Sequence, residues 1–125
     1  MKTMENWTER TELLIGKKGL EKLSIAHVLV AGLGGVGGYA AEQLCRAGIG
    51  KLTLIDGDTI HPTNRNRQIL ALLSTEGMEK AKLMSGRLKD INPSIELDII
   101  SAFVKEDQLP AILDHSYDYV VDAID

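Results

Sequence analysis

Cysteine occurs once in the 125 residues, at Cys45, and proline only three times. A single cysteine allows no internal disulfide and no cysteine-cluster zinc site within the chain. No tract is rich enough in proline or serine to act as a linker. Basic charge is not in excess. Fourteen Lys and Arg against eighteen Asp and Glu leave a net charge of -4. That excludes a generally basic, nucleic-acid-coating protein, although not a local basic patch. Long hydrophobic runs are missing too. The longest falls far short of the ~18–20 residues a membrane span needs, and Met1 to Trp7 holds no apolar signal core. What remains is ordinary globular usage, 44% hydrophobic and 26% charged. It suits one domain that buries on the order of two thirds of its unfolded surface. A cytoplasmic location fits.

The twelve glycines are uneven and crowd between Gly32 and Gly57. Just before them, His27 to Gly32 is a short apolar, β-branched run, the pattern of a parallel strand buried on both faces. Gly35 to Ala47 reads as a helix with Val36, Ala40, Ala41, Leu44 and Cys45 as its apolar stripe, stopped by Gly48. Lys51 to Asp56 is a second strand. An irregular stretch, Gly57 to Gln68, follows, then a short helical piece around Ile69 to Leu73. Lys80 to Ile91 is an amphipathic helix with Ala81, Met84, Leu88 and Ile91 on one face, ended by Asn92-Pro93. Glu96 to Ser101 is a third strand, Asp107 to Leu113 a short helix with Pro110 in its first turn, and Tyr117 to Asp122 a fourth strand. Glu9 to Leu23 supplies one or two helices ahead of the first strand. The expected fold is α/β: a Rossmann-like, doubly wound parallel sheet preceded by N-terminal helices, with 1–24 as the helical segment and 25–125 as the nucleotide-binding domain. Such a sheet binds ligands beyond the carboxyl ends of its strands. Gly32 to Gly37, Asp56 and Asp125 all fall there.

Gly32-Leu33-Gly34-Gly35-Val36-Gly37 fits G-x-G-x-x-G. The string follows a strand, opens a helix and precedes an acid at the end of the next strand, which is the context the fingerprint requires. Glycines at 32, 34 and 37 let backbone approach phosphate at the helix N-terminus, and Asp56 can accept hydrogen bonds from both ribose hydroxyls. About two dozen residues then separate strand two from its helix. They carry Asn64-Arg65-Asn66-Arg67-Gln68, and Lys80 follows. This is more cationic and polar equipment than a pyrophosphate on a helix needs. Arginine forks and a lysine point charge suit a triphosphate with magnesium.

Taken in order, Gly32 to Gly37, Asp56-x-Asp58, Asn64 to Gln68, Lys80 and Asp122-Ala123-Ile124-Asp125 resemble the ThiF/HesA/MoeB superfamily of adenylating enzymes, relatives of the ubiquitin-activating enzymes. The string Thr63 to Leu72 and the helix end Arg87 to Pro93 look like the tRNA threonylcarbamoyladenosine dehydratase branch. The resemblance runs from about Arg10 to the last residue. It implies a homodimeric, ATP- and Mg2+-dependent enzyme that adenylates a carboxylate and releases pyrophosphate. In that branch the carboxylate is the threonylcarbamoyl group on adenosine 37 of tRNA, which then cyclises as AMP leaves. By the same resemblance, Gly35 lies against the phosphates and Asp56 is the ribose acid. Asn64, Arg67 and Gln68 hold phosphates, Lys80 offsets charge during adenylation, and Asp125 binds magnesium. Arg10 reaches into the neighbouring subunit's site.

Other acceptors and other classes stay open at this point. One alternative acceptor is the C-terminal glycine of a ubiquitin-like sulfur carrier. Gly32 to Gly37 with Asp56 alone also permits an NAD-dependent oxidoreductase domain, or a nucleotide-binding module without catalysis. Neither of the last two explains Asn64 to Gln68 or Lys80. Cys45, on the helical stripe, reads as a buried structural thiol. His27, His61 and His115 are too scattered for a metal triad, and Asp122 reads as a strand-end structural acid. Asp58 either supports Asp56 or faces solvent. Lys17, Lys18 and Lys22 form a solvated helix face that could touch tRNA, and Trp7 reads as packing. The chain stops at Asp125, directly after a buried-looking strand. The expectation is therefore an incomplete family domain, the N-terminal half of a longer enzyme, with little turnover alone and with the surface for tRNA supplied from elsewhere.

Overall fold

The computed structural model describes residues 7–114 and 116–125; His115 lies outside them. Four parallel strands, β1 (His27–Ala31), β2 (Lys51–Ile55), β3 (Glu96–Ile100) and β4 (Tyr119–Asp122), form one sheet in the order β3-β2-β1-β4. The helices are α1 (Glu9–Ser24), α2 (Gly37–Ala47), α3 (Lys80–Ile91) and α4 (Leu109–Leu113). From β1 the chain steps outward to β2 and β3. It then returns past both to lay β4 on the other side of β1. The order therefore reverses between β1 and β4, and a crevice opens at that point beyond the strand ends.

The central strand earns its place by composition. Val28, Leu29, Val30 and Ala31 are all buried, as are Leu52, Leu54 and Ile55 on β2. α2 and α3 cover this sheet through Ala41, Cys45, Ala81, Met84 and Leu88. Gly48 ends α2 with φ 107°, a left-handed cap that a β-carbon would strain. Lys80–Ile91 forms as the periodicity requires, and Asn92 closes it.

The N-terminal stretch forms as expected, one run of helix kinked at Gly16, whose φ of 76° makes it two helices in effect. Three other expectations shift. α2 starts at Gly37 rather than Gly35, although Gly38 N already donates to Gly34 O. Its buried face is Gly37, Gly38, Ala41, Glu42 and Cys45, while Val36 is exposed. No helix forms over Ile69 to Leu73. Short 3-10 turns at Pro62–Asn66 and Leu73–Thr75 flank that stretch. There the Thr75 hydroxyl accepts from Leu72 N and donates to Leu70 O, so local side-chain bonds replace the helical ladder. The last helix likewise splits into a 3-10 turn, Glu106–Gln108, and α4.

Glu42 is buried with a purpose. Its Oε2 accepts from Arg46 Nε at 3.0 Å, and its Oε1 accepts from Arg87 Nε, so a carboxylate on α2 clamps α3. The Arg87 hydrogen bond is the main reason its carboxyl lies below the usual range. Burial pushes the other way, and Arg46 adds to the lowering. A lowered folded value adds stability above the ordinary glutamate value, and this is lost as pH falls through the folded one.

Two predictions follow from this packing. A β-carbon on Gly37 would sit 1.6 Å from Gly32 O, so Gly37→Ala should lower the unfolding free energy by about 3 kcal/mol or more in urea denaturation. Glu42→Gln should lower it by about 1–3 kcal/mol at neutral pH, reduced by the partial solvation of both guanidiniums. Its gap to wild type should close as pH falls below about 4.5.

Candidate functional site

Everything singled out at the strand ends converges on the loop after β1. Gly32 leaves the strand at φ 93°, and a β-carbon on it would lie 2.5 Å from Ala123 O, so this loop and the chain after β4 touch. Leu33 to Val36 then turn the chain into α2. Over this turn lies the 62–68 segment. A β-carbon on Gly34 would be 3.4 Å from Gln68 Nε2, and one on Gly35 would be 3.4 Å from Arg67 Cγ. At these distances Gln68 and Arg67 pack directly against the glycine turn.

Asp56 braces the turn. Its Oδ2 accepts from Leu33 N at 2.7 Å and its Oδ1 accepts from Asp58 N at 2.7 Å. Each carboxylate oxygen still has acceptor capacity left over, so this bracing is compatible with binding hydroxyls. Asp58 resolves toward structure rather than solvent. Its Oδ1 accepts from Thr59 N at 2.8 Å and meets His61 Nε2 at 3.0 Å, while its Oδ2 lies 3.5 Å from Lys80 Nζ. Partial burial raises the Asp58 carboxyl, but the His61 and Thr59 hydrogen bonds and the Lys80 charge outweigh it and hold it below the ordinary value.

Lys80 is the first residue of α3, and its side chain is only 5% exposed. A cation at the positive end of a helix is unfavourable by about 0.3–1 kcal/mol, and burial adds to that. The Asp58 carboxylate offsets part of that cost. Asn64 is buried and its Oδ1 accepts from His61 N at 2.9 Å, which closes the 3-10 turn. Gln68 is 7% exposed, and its Oε1 is buried without a hydrogen-bond partner. A buried orphan acceptor beside the glycine turn is a group awaiting a donor.

The structure thus gathers Gly32, Gly34, Gly35, Gly37, Asp56, Asn64, Arg67, Gln68 and Lys80 into one region. It does not bring in Arg65, which pairs with Glu76 at 3.6 Å, or Arg10, which is exposed on α1 with no hydrogen bond or ion pair to a described residue. Asp125 is exposed three residues past β4. Among the described residues no group of three His, Cys, Asp or Glu is placed to hold a metal. Two features went unread in the sequence. One is the Glu42 clamp. The other is Phe103, 72% exposed, whose backbone N and ring would lie 2.3 and 2.8 Å from a β-carbon on Gly57. The signal for Phe103 was a lone phenylalanine just past the third strand, with a glycine beside the acid of the second.

A parallel sheet with a glycine turn and a buried cation at its switch point is a Rossmann-like domain equipped for an anionic ligand. More particularly, the chain belongs to the ThiF family, which it matches over residues 8–125. It is 48% identical over 116 residues to a tRNA threonylcarbamoyladenosine dehydratase of Bacillus subtilis (strain 168), covering 93% of this chain and 46% of that protein. It is 39% identical over 107 residues to a molybdopterin-synthase adenylyltransferase of Haemophilus influenzae, covering 86% of this chain and 44% of that one. The crystal structure of E. coli tRNA N6-threonylcarbamoyladenosine dehydratase in complex with ATP superposes with a TM-score of 0.94 at 43% identity, over 96% of this chain and 49% of that one. The chain spans about half the length of the relatives it matches. No helix among the described residues is long and apolar enough to cross a membrane.

Cys45 stands apart from this chemistry. It is fully buried, its Sγ donates to Leu88 O at 3.5 Å, and burial pushes the thiol up to about 11. Iodoacetamide at about pH 8 should leave it unmodified in the folded protein and label it stoichiometrically in urea, read by mass spectrometry.

Proposed function

We propose that this chain is the nucleotide-binding part of an ATP-dependent adenylating enzyme, and that its acceptor is the threonylcarbamoyl carboxylate of adenosine 37 in tRNA. The observation that carries the reading is Lys80, a buried cation at the N-terminus of α3 and in the same region as the glycine turn. Its one carboxylate partner, Asp58, lies at 3.5 Å and leaves the ammonium able to take a further anion. The relative solved with ATP and the dehydratase relatives support the choice of nucleotide and acceptor.

A carboxylate attacking an α-phosphorus brings two anions together, and pyrophosphate leaves with further charge. Lys80 and Arg67 offset that charge, and the backbone of Gly34 and Gly35 admits phosphate oxygens at the start of α2. Asp56 takes the ribose hydroxyls with its remaining acceptor capacity, and Gln68 can donate to phosphate oxygens through Nε2, the atom that lies beside Gly34. Phe103, exposed beside Gly57, offers an aromatic face near the ribose end. Asp125 is a hard oxygen donor suited to Mg2+, which when bound screens phosphate charge. No side-chain nucleophile is required, since the substrate carboxylate attacks.

The enzyme acts as a cytoplasmic homodimer in this reading. Leu13 and Leu14, each 85% exposed on α1, form apolar surface suited to a second copy, and Arg10 on the same segment extends into that copy's site. The second reading keeps the adenylation and changes the acceptor to the C-terminal glycine of a ubiquitin-like sulfur carrier. The adenylyltransferase relative favours it.

Calorimetry should give binding of ATP·Mg and none of NAD. ATP–pyrophosphate exchange should respond to threonylcarbamoylated tRNA and not to a ubiquitin-like C-terminus. Lys80→Ala should bring exchange below detection with an unchanged circular dichroism spectrum. Exchange at the wild-type rate in that variant removes the assignment.

A further inference from the structure

Asp58 contacts Lys80 twice. Its backbone oxygen accepts from Lys80 N at 3.1 Å, and its Oδ2 lies 3.5 Å from Lys80 Nζ. It is itself fixed at its other atoms. Asp58 N donates to Asp56 Oδ1 at 2.7 Å, and Oδ1 is held by Thr59 N at 2.8 Å and His61 Nε2 at 3.0 Å. Just beyond it, Thr59 forms an antiparallel bridge with Glu79, the residue before Lys80. Asp56 and Lys80 are therefore joined by a single residue, through two hydrogen bonds at the backbone of Asp58 and an ion pair at its carboxylate.

We propose that Asp58 is a positioning residue for the adenylation step: it holds the Lys80 ammonium at a fixed distance from the ribose acid, so that the cation meets the charge that develops at the α-phosphorus. The proposal rests on the adenylation reading. A free lysine stem has several rotamers, and the helix N-terminus repels its charge. The Asp58 carboxylate cancels that repulsion and selects one placement before the nucleotide arrives. Its partner oxygen is occupied by His61 and Thr59, so the carboxylate cannot swing toward the phosphates and compete for them. Asp58 touches no reacting atom in this arrangement; it acts through Lys80.

The distinguishing variant is Asp58→Asn. Asparagine keeps an acceptor for the Thr59 N–H and removes the charge that orients Lys80. Misplacing a catalytic group by about 1 Å lowers rates about 100-fold. The expected result is therefore a fall in kcat for pyrophosphate exchange of about 10- to 100-fold, with the KM for ATP changing less than about threefold and the thermal midpoint lowered by a few degrees, because the buried ammonium loses its partner. Asp58→Glu, which restores the charge on a longer stem, should recover part of kcat. A second measurement is independent of activity. Acetic anhydride labelling of Lys80, read by mass spectrometry, should be slow in the wild type and several-fold faster in Asp58→Asn. Equal labelling in the two proteins overturns the proposal, and so does wild-type kcat in Asp58→Asn. A loss of kcat matched by an equal loss of thermal stability, with no recovery in Asp58→Glu, overturns it as well. If the full-length wild-type enzyme, supplied with threonylcarbamoylated tRNA, shows no ATP-dependent exchange while labelling still separates the two proteins, the adenylation reading falls and the tether between Asp58 and Lys80 stands.

Discussion

The two oxygens of Asp56 are spent on different parts of the chain. One accepts from Leu33 N in the loop after β1, the other from Asp58 N in the loop after β2. Parallel neighbouring strands leave their carboxyl-end loops free to diverge, because ladder hydrogen bonds stop where the strands stop. The Asp56 carboxylate continues the pairing beyond the ladder. Through Leu33 it fixes the glycine turn, and with that the direction in which α2 points its N-terminus. Through Asp58 it fixes the start of α3 and so the height of Lys80. Two helix N-termini and one buried ammonium thus share a single anionic anchor.

The remaining charges divide by task. Arg65 is turned outward to Glu76, and Arg87 with Arg46 is consumed by Glu42 in holding α2 to α3. Arg67 stays exposed over Gly35, its side chain hydrogen-bonded, among the described residues, to the neighbouring Asn66 Oδ1 and to Thr63 O. Such bonds to neutral acceptors yield readily to a phosphate, because a charged acceptor is roughly twice as strong. Arg67 is therefore a cation that can meet an anion beside the glycine turn, although the chain as a whole is acidic.

Much of this was legible because it depends on short-range rules. The β-branched run from His27, the glycines behind it, the acid closing the second strand and the apolar spacing of Lys80–Ile91 each announce a local geometry. Register across a parallel sheet then has little freedom. What escaped reading depends on contacts between distant residues. Glu42 lies off the apolar stripe that periodicity picks out, and no local pattern says that Arg87, 45 positions on, will satisfy it. Asp58 was ambiguous for the same reason, since its role is set by His61 and Lys80 meeting it in space. The 69–73 stretch has helical composition, yet the Thr75 hydroxyl and the preceding 3-10 turn take the backbone groups a helix would have used. Phe103 depends on how closely the loop after β3 approaches Gly57.

The close approach of Gly37 to Gly32 reaches beyond stability. Every glycine codon is one base change away only from glycine itself, from stop, or from residues that carry a β-carbon. At Gly37 any of those carbons would fall inside the bonding radius of a backbone oxygen. The position has no neutral neighbours in the genetic code. A single-base change at Gly37 is accommodated only when it is synonymous, whereas the side chain of Val36 beside it stands open to solvent.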